Sequence, residues 1–432
     1  MFKTFIDFFK NKDTVKRLLF TLVILFIYRL GVSIPAPGVD TTVFKLATQG
    51  SNHEILDLMS ILGGGNLEQM SIFSLGVGPY ITASMIIELL AMDIIPALTE
   101  MAKSGKKGRQ QMDRITRYVT IVMALVQGYF IVRYLATFNA SYNFIENPGF
   151  ASYAYIAVIF TAGTMFLLWL ADQITAKGIG NGTSMIIFAG IVADIPTTWQ
   201  SVYYTFIGEN ATSSLGVGGF VGYVVMYIAI IILVVLMQLA ERRIPIQQSS
   251  SRALNKTKGD LNHIPLKINS ASVMPVIFAS AIIQGPQIIA SWVNTNAYNW
   301  LQKVCDFSSP WFLAFYGLLI ILFTFFYTNL QIDPQKMADD LGKNGQYIPG
   351  VRPGSETKAY VSKVLNRITV LGALLLTFIA ILPYVTSLLT GLSARAAIGG
   401  TGIIIVVGIA MDTIKQAKGL LTTKQYKSFI GK

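Results

Sequence analysis

Cysteine, histidine and charge are all scarce in this chain. Its 432 residues include one cysteine, Cys305, and two histidines, His53 and His263. A lone cysteine excludes an intrachain disulfide and a thiolate metal cluster. Two histidines far apart in sequence give little basis for metal ligation, so no metal or cofactor is expected. There is also no nucleophile beside a His/Asp cluster, which argues against a membrane enzyme. Charged residues make up 13% of the chain, against about 25% in ordinary soluble domains. What fills the space is apolar: 53% of the residues are hydrophobic, in repeated long runs. That combination specifies an all-α polytopic membrane protein. A cleavable leader is not expected, because the run from Leu18 leads into Ser33-Ile34-Pro35-Ala36-Pro37 with no small-x-small site.

Ten segments are candidate spans: 18–34, 71–92, 116–136, 152–171, 184–203, 217–240, 271–293, 310–330, 368–389 and 398–414. Ahead of them, residues 1–17 mix Phe2, Phe5, Ile6, Phe8 and Phe9 with Lys3, Lys10, Lys12, Lys16 and Arg17. That pattern predicts a short cytoplasmic helix lying on an anionic membrane face. Lys and Arg then sort sharply. All of them except Arg29, Lys45, Arg133, Lys303 and Arg395 lie at the N-terminus or in and beside 93–115, 172–183, 241–270, 331–367 and 415–432. The positive-inside rule therefore places both termini and the large basic loops in the cytoplasm.

Five crossings leave the chain outside near residue 210, so the second five run opposite to the first. The chain divides into a half at 18–210, a half at 211–414 and a cytoplasmic tail at 415–432, with the arithmetic of an inverted repeat. Irregular spans occupy matching places. Span 2 carries Gly76, Gly78 and Pro79; span 5 meets Asp194 and Pro196; span 7 carries Pro275, Gly285 and Pro286; span 10 opens on Gly399-Gly400-Thr401-Gly402. Paired irregular spans point to a site at the repeat interface.

Before span 2 lies a segment too short and polar to cross, residues 55–70, with Leu58 and Leu62 followed by Gly63-Gly64-Gly65 and Asn66. Ionisable residues within the spans are few. Arg29, Arg133 and Asp412 lie towards span ends, and Glu88 is the acid that sits deep. The available lining is apolar or small: Val77 and Ile81 share a helix face at i, i+4, as do Thr183 and Ile187. An apolar constriction blocks ions by dewetting and makes no specific contact with what passes, which suits a cargo of variable chemistry. A secondary transporter for a small solute, using Glu88, remains the alternative. The basic loops 241–270 and 331–367 serve either as topology signals or as a dock for a large anionic partner such as an RNA surface. Gly178-Ile179-Gly180-Asn181-Gly182 looks like a phosphate loop, but it follows no strand and lacks the Lys-Ser/Thr signature, so nucleotide binding is rejected there.

Over nearly its whole length the chain resembles the SecY family, the channel subunits of the bacterial protein-conducting translocon. The resemblance rests on Ser71-Ile72-Phe73 through Pro79-Tyr80-Ile81, Asn147-Pro148-Gly149-Phe150, Thr161 through Trp169, Gln173-Ile174-Thr175, Lys177 through Gly182 and Phe188 through Ala193. It continues in His263-Ile264-Pro265-Leu266-Lys267, Pro275 through Ser280, Phe326-Tyr327-Thr328 and Pro349-Gly350-Val351-Arg352-Pro353-Gly354. It implies a SecY-type channel with a plug at 55–70 and a pore ring of Val77, Ile81, Thr183, Ile187, Ile277 and Ile405. It also implies a lateral gate between spans 2 and 3 and spans 7 and 8, with Thr82, Glu88, Gln127 and Asn269 among its polar positions. Thr183 and Glu88 depart from the bulky aliphatic and the amide usual in that family. Arg352, with Arg242 and Arg243, matches the contacts to the SecA ATPase and to ribosomes. The implied setting is the bacterial cytoplasmic membrane, with SecE and SecG as companion subunits, signal peptides and preproteins as cargo, and lipid as the exit. Direct nucleic-acid contact would be limited to ribosomal RNA.

Overall fold

A computed structural model describes residues 12–48, 69–92, 94–138, 145, 148–207, 216–248, 263–293, 304, 309–390 and 402–419. The N-terminal half contains α1 (Lys12–Val32), α2 (Thr41–Thr48), α3 (Gly78–Leu90), α4 (Pro96–Lys103), α5 (Lys106–Phe138), α6 (Phe150–Lys177) and α7 (Gly182–Phe206). The C-terminal half contains α8 (Gly216–Leu239), α9 (Met274–Val293), α10 (Pro310–Gln331), α11 (Pro334–Lys343), α12 (Ser355–Thr390) and a final helix, α13, over residues 402–419. A helix thus stands at each of the ten predicted positions. Among the described residues six helices (α5, α6, α7, α8, α10 and α12) are long and apolar enough to cross a membrane. Gly78–Leu90 and Met274–Ile283 are shorter apolar helices. The outer faces expose Phe26, Val225, Phe315 and Phe378, as lipid-facing helices do, while the inner faces form one large apolar cluster.

Three boundaries differ from the sequence reading, each for a physical reason. Residues 12–17 are the first turns of α1, with Asp13 placed favourably at its N-terminus; the rest of the expected surface helix, 1–11, lies outside the described residues. α5 and α12 run well past the membrane into the basic loops, because no proline or glycine cluster stops them there. Span 2 is helical over only the 13 residues of α3, about 20 Å at 1.5 Å per residue. Residues 71–77 ahead of it form consecutive turns.

Those turns satisfy their own backbone: Ser74 N–H donates to Ser71 O (3.0 Å), Gly76 N–H to Phe73 O (2.8 Å) and Ile81 N–H to Val77 O (3.1 Å). Gly76 takes a φ of +54°, which glycine accepts without a Cβ clash. The segment is buried, with Ser71, Ser74 and Val77 at most 1% exposed, as non-helical backbone at membrane depth must be. A row of stacked rings (Tyr28–Phe73 at 6.3 Å, Phe73–Phe166 at 6.0 Å, Phe166–Trp169 at 5.7 Å) pins it between α1 and α6.

The two basic loops are one structure. β1 (Glu241–Pro245) pairs antiparallel with β3 (His263–Lys267), aligning Glu241 with Lys267 and Ile244 with Ile264. β2 (Gln247–Gln248) pairs with β4 (Gln346–Tyr347) from the other loop, and Tyr347 Oη donates to Gln247 Oε1 at 3.1 Å. Both sheets have two strands, so Pro245 and Pro265 sit at edges where a missing N–H is tolerated. Beneath them Ile244, Ile246, Leu266, Leu341, Ile348 and Val361 form a small separate core.

Candidate functional site

The ring positions converge. Val77, Ile187, Ile277 and Ile405 are all at most 5% exposed and belong to one apolar cluster, with Ile81 packed against it. They arrive from the four irregular elements: the N-cap and first turn of α3, the start of α7, the start of α9 and the start of α13. Gly402 on α13 lies so close to α7 that a Cβ there would be 2.9 Å from Ile191 Cγ2. α9 packs against both α3 and α5.

Thr183 stands apart from the aliphatic cluster, and the reason is local. Asn181 caps α7, accepting from Thr183 N–H at 3.1 Å and from Thr183 Oγ1 at 2.7 Å. The hydroxyl is therefore committed to the cap rather than to a carbonyl of its own helix. The turn that carries it is tightly held. Ile179 N–H donates to Thr21 Oγ1 on α1 at 3.1 Å, and Gly182 N–H donates to Thr175 Oγ1 on α6 at 2.9 Å. A Cβ on Gly182 would meet Ala171 O at 1.8 Å. Gly178 and Gly182 thus serve close packing of α1, α6 and α7.

The gate residues divide. Gln127 on α5 donates to Thr82 Oγ1 on α3 at 3.5 Å, and Thr82 itself donates to Pro79 O at 3.0 Å. This pair lies on one side of the seam. Glu88 is half-buried near the end of α3, within electrostatic range of Tyr327 on α10. Phe278 on α9 packs edge-on against Phe323 and Tyr327. Asn269 is 2% exposed in the turn before α9 and donates to Ser272 O at 2.8 Å. Its side chain engages that turn and Met237 of α8, not Thr82 or Gln127.

The plug positions Leu58, Leu62, Gly63, Gly64, Gly65 and Asn66 lie outside the described residues. The end of that segment is anchored: Met70 is fully buried, and its carbonyl accepts from Ala36 N–H at 2.8 Å. Ahead of that segment, Asp40 caps α2 through Thr42 and Val43, bonds that hold its carboxyl below the usual aspartate range.

Arg352 is exposed just before α12. Its N–H donates to Glu356 Oε2 (3.4 Å), and its carbonyl accepts from Thr357 Oγ1 (2.8 Å). The backbone is fixed at the head of α12 while the guanidinium forms no ion pair among the described residues. Arg242 is exposed on β1, and Arg243 Nε pairs with Glu241 Oε1 at 2.9 Å. Sequence reasoning did not find the pairing of the two loops. The alternation of Arg242-Arg243-Ile244-Pro245-Ile246 and His263-Ile264-Pro265-Leu266 is a strand period that marks β1 and β3 within the first loop; β2 and β4, which join the two loops, are two residues each and leave no such signal.

Comparison with known proteins agrees with this geometry. The family model SecY matches residues 71–414. The protein translocase subunit SecY of Bacillus licheniformis is 42% identical over the full length of both chains, and that of Bacillus subtilis 41%. SecY of Mycoplasma capricolum subsp. capricolum is 41% identical, covering 96% of this chain and 89% of its own. Among solved structures, a protein-conducting channel aligns with a TM-score of 0.64 at 18% identity, covering 93% of this chain and 91% of its own. Sec61 of a canine ribosome–channel complex aligns with a TM-score of 0.63 at 17% identity, with the same coverage. These likenesses share the fold, and the sequence relatives share far more. The chain belongs to the SecY family.

Proposed function

We propose that this chain, crossing the bacterial cytoplasmic membrane ten times, is the channel through which unfolded preproteins pass and from which apolar segments leave sideways into lipid. One observation carries the reading: Val77, Ile187, Ile277 and Ile405, each from an irregular helix, are buried in the same apolar core, with Ile81 packed against it, as a closed ring would be. Such a ring seals against ions by excluding water, yet places no selective contact on a passing chain. Thr183 completes it at the head of α7. Family membership favours this channel over a small-solute transporter.

The reading assigns residues 55–70 as a plug beneath the ring, and Thr82, Glu88, Gln127 and Asn269 to the gate and its flank. Opening follows from signal peptides binding the open state better than the closed one. No residue performs covalent chemistry. The driving force comes from SecA or a ribosome docked on Arg352, Arg242 and Arg243, with SecE and SecG as companion subunits. Depleting the protein should make secreted precursors accumulate in the cytoplasm; continued secretion at normal rates overturns the reading. Deleting Leu58 to Asn66 is expected to leave a folded channel that leaks ions across liposomes. Unchanged conductance removes the plug assignment.

A further inference from the structure

On the cytoplasmic side of the ring, α8, the turn before α9 and α13 meet around a buried polar group. Gln238 of α8 is 2% exposed and donates from Nε2 to Ser272 Oγ at 3.3 Å. Asn269 donates to the carbonyl of the same serine. Lys415 of α13 donates from Nζ to Gln238 O at 3.1 Å. Gly408 of α13 closes the contact, since a Cβ there would lie 2.8 Å from Val273 Cγ1 and 3.6 Å from Gln238 Nε2.

Two features show that this junction is held but not at ease. Ser272 has a φ of +54°, a left-handed conformation that a residue with a Cβ adopts only at a cost. Gln238 Oε1 and Asn269 Oδ1 are buried and accept no hydrogen bond among the described residues, a state that water would relieve.

The position of the junction matters. Ile277 N–H donates to Val273 O at 3.3 Å, so Val273 lies one turn before a ring residue of α9. Gly408 lies three residues beyond Ile405, the ring residue of α13. We propose that Gln238, Ser272 and Lys415 form a polar latch that holds the α9 and α13 parts of the ring together in the closed channel and separates when it opens. This rests on the ring assignment above. A polypeptide with its side chains needs a passage of about 10 Å, the diameter of a helix. Parting Ile277 from Ile405 by that much breaks the Val273–Gly408 contact one turn away. Breaking it admits water to the two unpartnered oxygens and frees Ser272 to relax, so the latch opposes opening without forbidding it. Gln238, Ser272 and Lys415 are therefore positioning residues for the ring.

The test uses the complete translocon in proteoliposomes, with Cys305→Ser as background. Val273→Cys with Gly408→Cys places two thiols at neighbouring positions, where a Cβ at 408 would meet the side chain at 273. Oxidation should cut preprotein translocation at least tenfold, and reduction should restore it. Full translocation by the oxidised, cross-linked channel overturns the proposal. In parallel, Gln238→Leu keeps the bulk and removes the donor. It should raise resting ion conductance about tenfold at an unchanged unfolding midpoint, a readout that a packing role would not move. Ile405→Asn tests the ring itself. A leak in Ile405→Asn without one in Gln238→Leu overturns the latch and leaves the ring standing; no leak in either overturns both. If Gln238→Leu fails to fold, the redox pair decides alone.

Discussion

Replacing Gly163 by valine is expected to abolish accumulation of the folded protein in the membrane. Gly163 lies midway along α6, facing the non-helical turns at 71–77. A Cβ there would sit 2.1 Å from Ile72 O and 2.9 Å from Ile72 C. The obstacle is backbone, not the end of a flexible side chain. That backbone cannot step aside, because Ile72 N–H is bound to Ile34 O at 3.1 Å and Phe73 is stacked between Tyr28 and Phe166. Overpacking a well-fitted interior costs about 1–3 kcal/mol, and more where backbone must shift. Against a total stability of about 5–15 kcal/mol, a cost at or above the top of that overpacking range is a large share of the margin. Gly218 on α8 is the control, since nothing lies within 4 Å of a Cβ placed there. Gly218→Ala should accumulate and unfold normally. Abundance in membrane fractions and the thermal midpoint in detergent measure both. Wild-type behaviour of Gly163→Val would remove the close approach of α6 to the turns.

Arg352→Glu is expected to lower SecA-driven translocation at least thirtyfold while leaving abundance and unfolding unchanged. The two halves of this prediction have different physical origins. Stability is insensitive because the side chain is exposed and forms no ion pair among the described residues, and exposed charges contribute about 0–1 kcal/mol. The fold at that point is held by the backbone bonds to Glu356 and Thr357 and by Ile348 and Val361 beneath. Docking is sensitive because reversing a contact charge against a fixed partner costs about 2–5 kcal/mol, and 2 kcal/mol is about thirtyfold. A flexible loop could turn the new charge away; the head of α12 cannot. Rates measured with the ATPase in proteoliposomes, over a range of salt, check it. Translocation at normal rates, with equal salt dependence, ends the docking role of Arg352.

The cross-loop pairing sharpens that role. Because β2 and β4 join the two basic loops over a shared core, Arg352, Arg242 and Arg243 project from one body rather than from two tethers. That body is continuous with the membrane helices. Ile268 N–H donates to Ala240 O at 3.0 Å, and β3 leads through Asn269 and Ser272 directly into α9. A load applied at the cytoplasmic loops is therefore delivered beside the junction of α8, α9 and α13.

The sequence by itself determined the positions of the apolar segments, the basic character of the loops and the choice of irregular helices. These are local properties: a run of about twenty apolar residues, a bias in Lys and Arg, a glycine or proline inside a span. The spacings Val77–Ile81 and Thr183–Ile187 were equally legible, because four residues along a helix share one face.

Tertiary structure decided the rest, because it turns on groups far apart in sequence. The turns at 71–77 read as helix from their hydrophobicity; they are held in another form by Ile34, Tyr28 and Gly163. Thr183 reads as a hydroxyl where the resembled family has an aliphatic residue; it is spent on Asn181 in a turn anchored by Thr21. The partners of the Asn269 amide, Ser272 in its own turn and Met237 on α8, could not be read from the sequence. Gln238 and Lys415 carry no signal in the sequence, since an amide and an amine near two span ends are unremarkable until folding brings them together. Where a backbone carbonyl finds its donor, and which side chain stands where a Cβ would otherwise be, is settled only by packing.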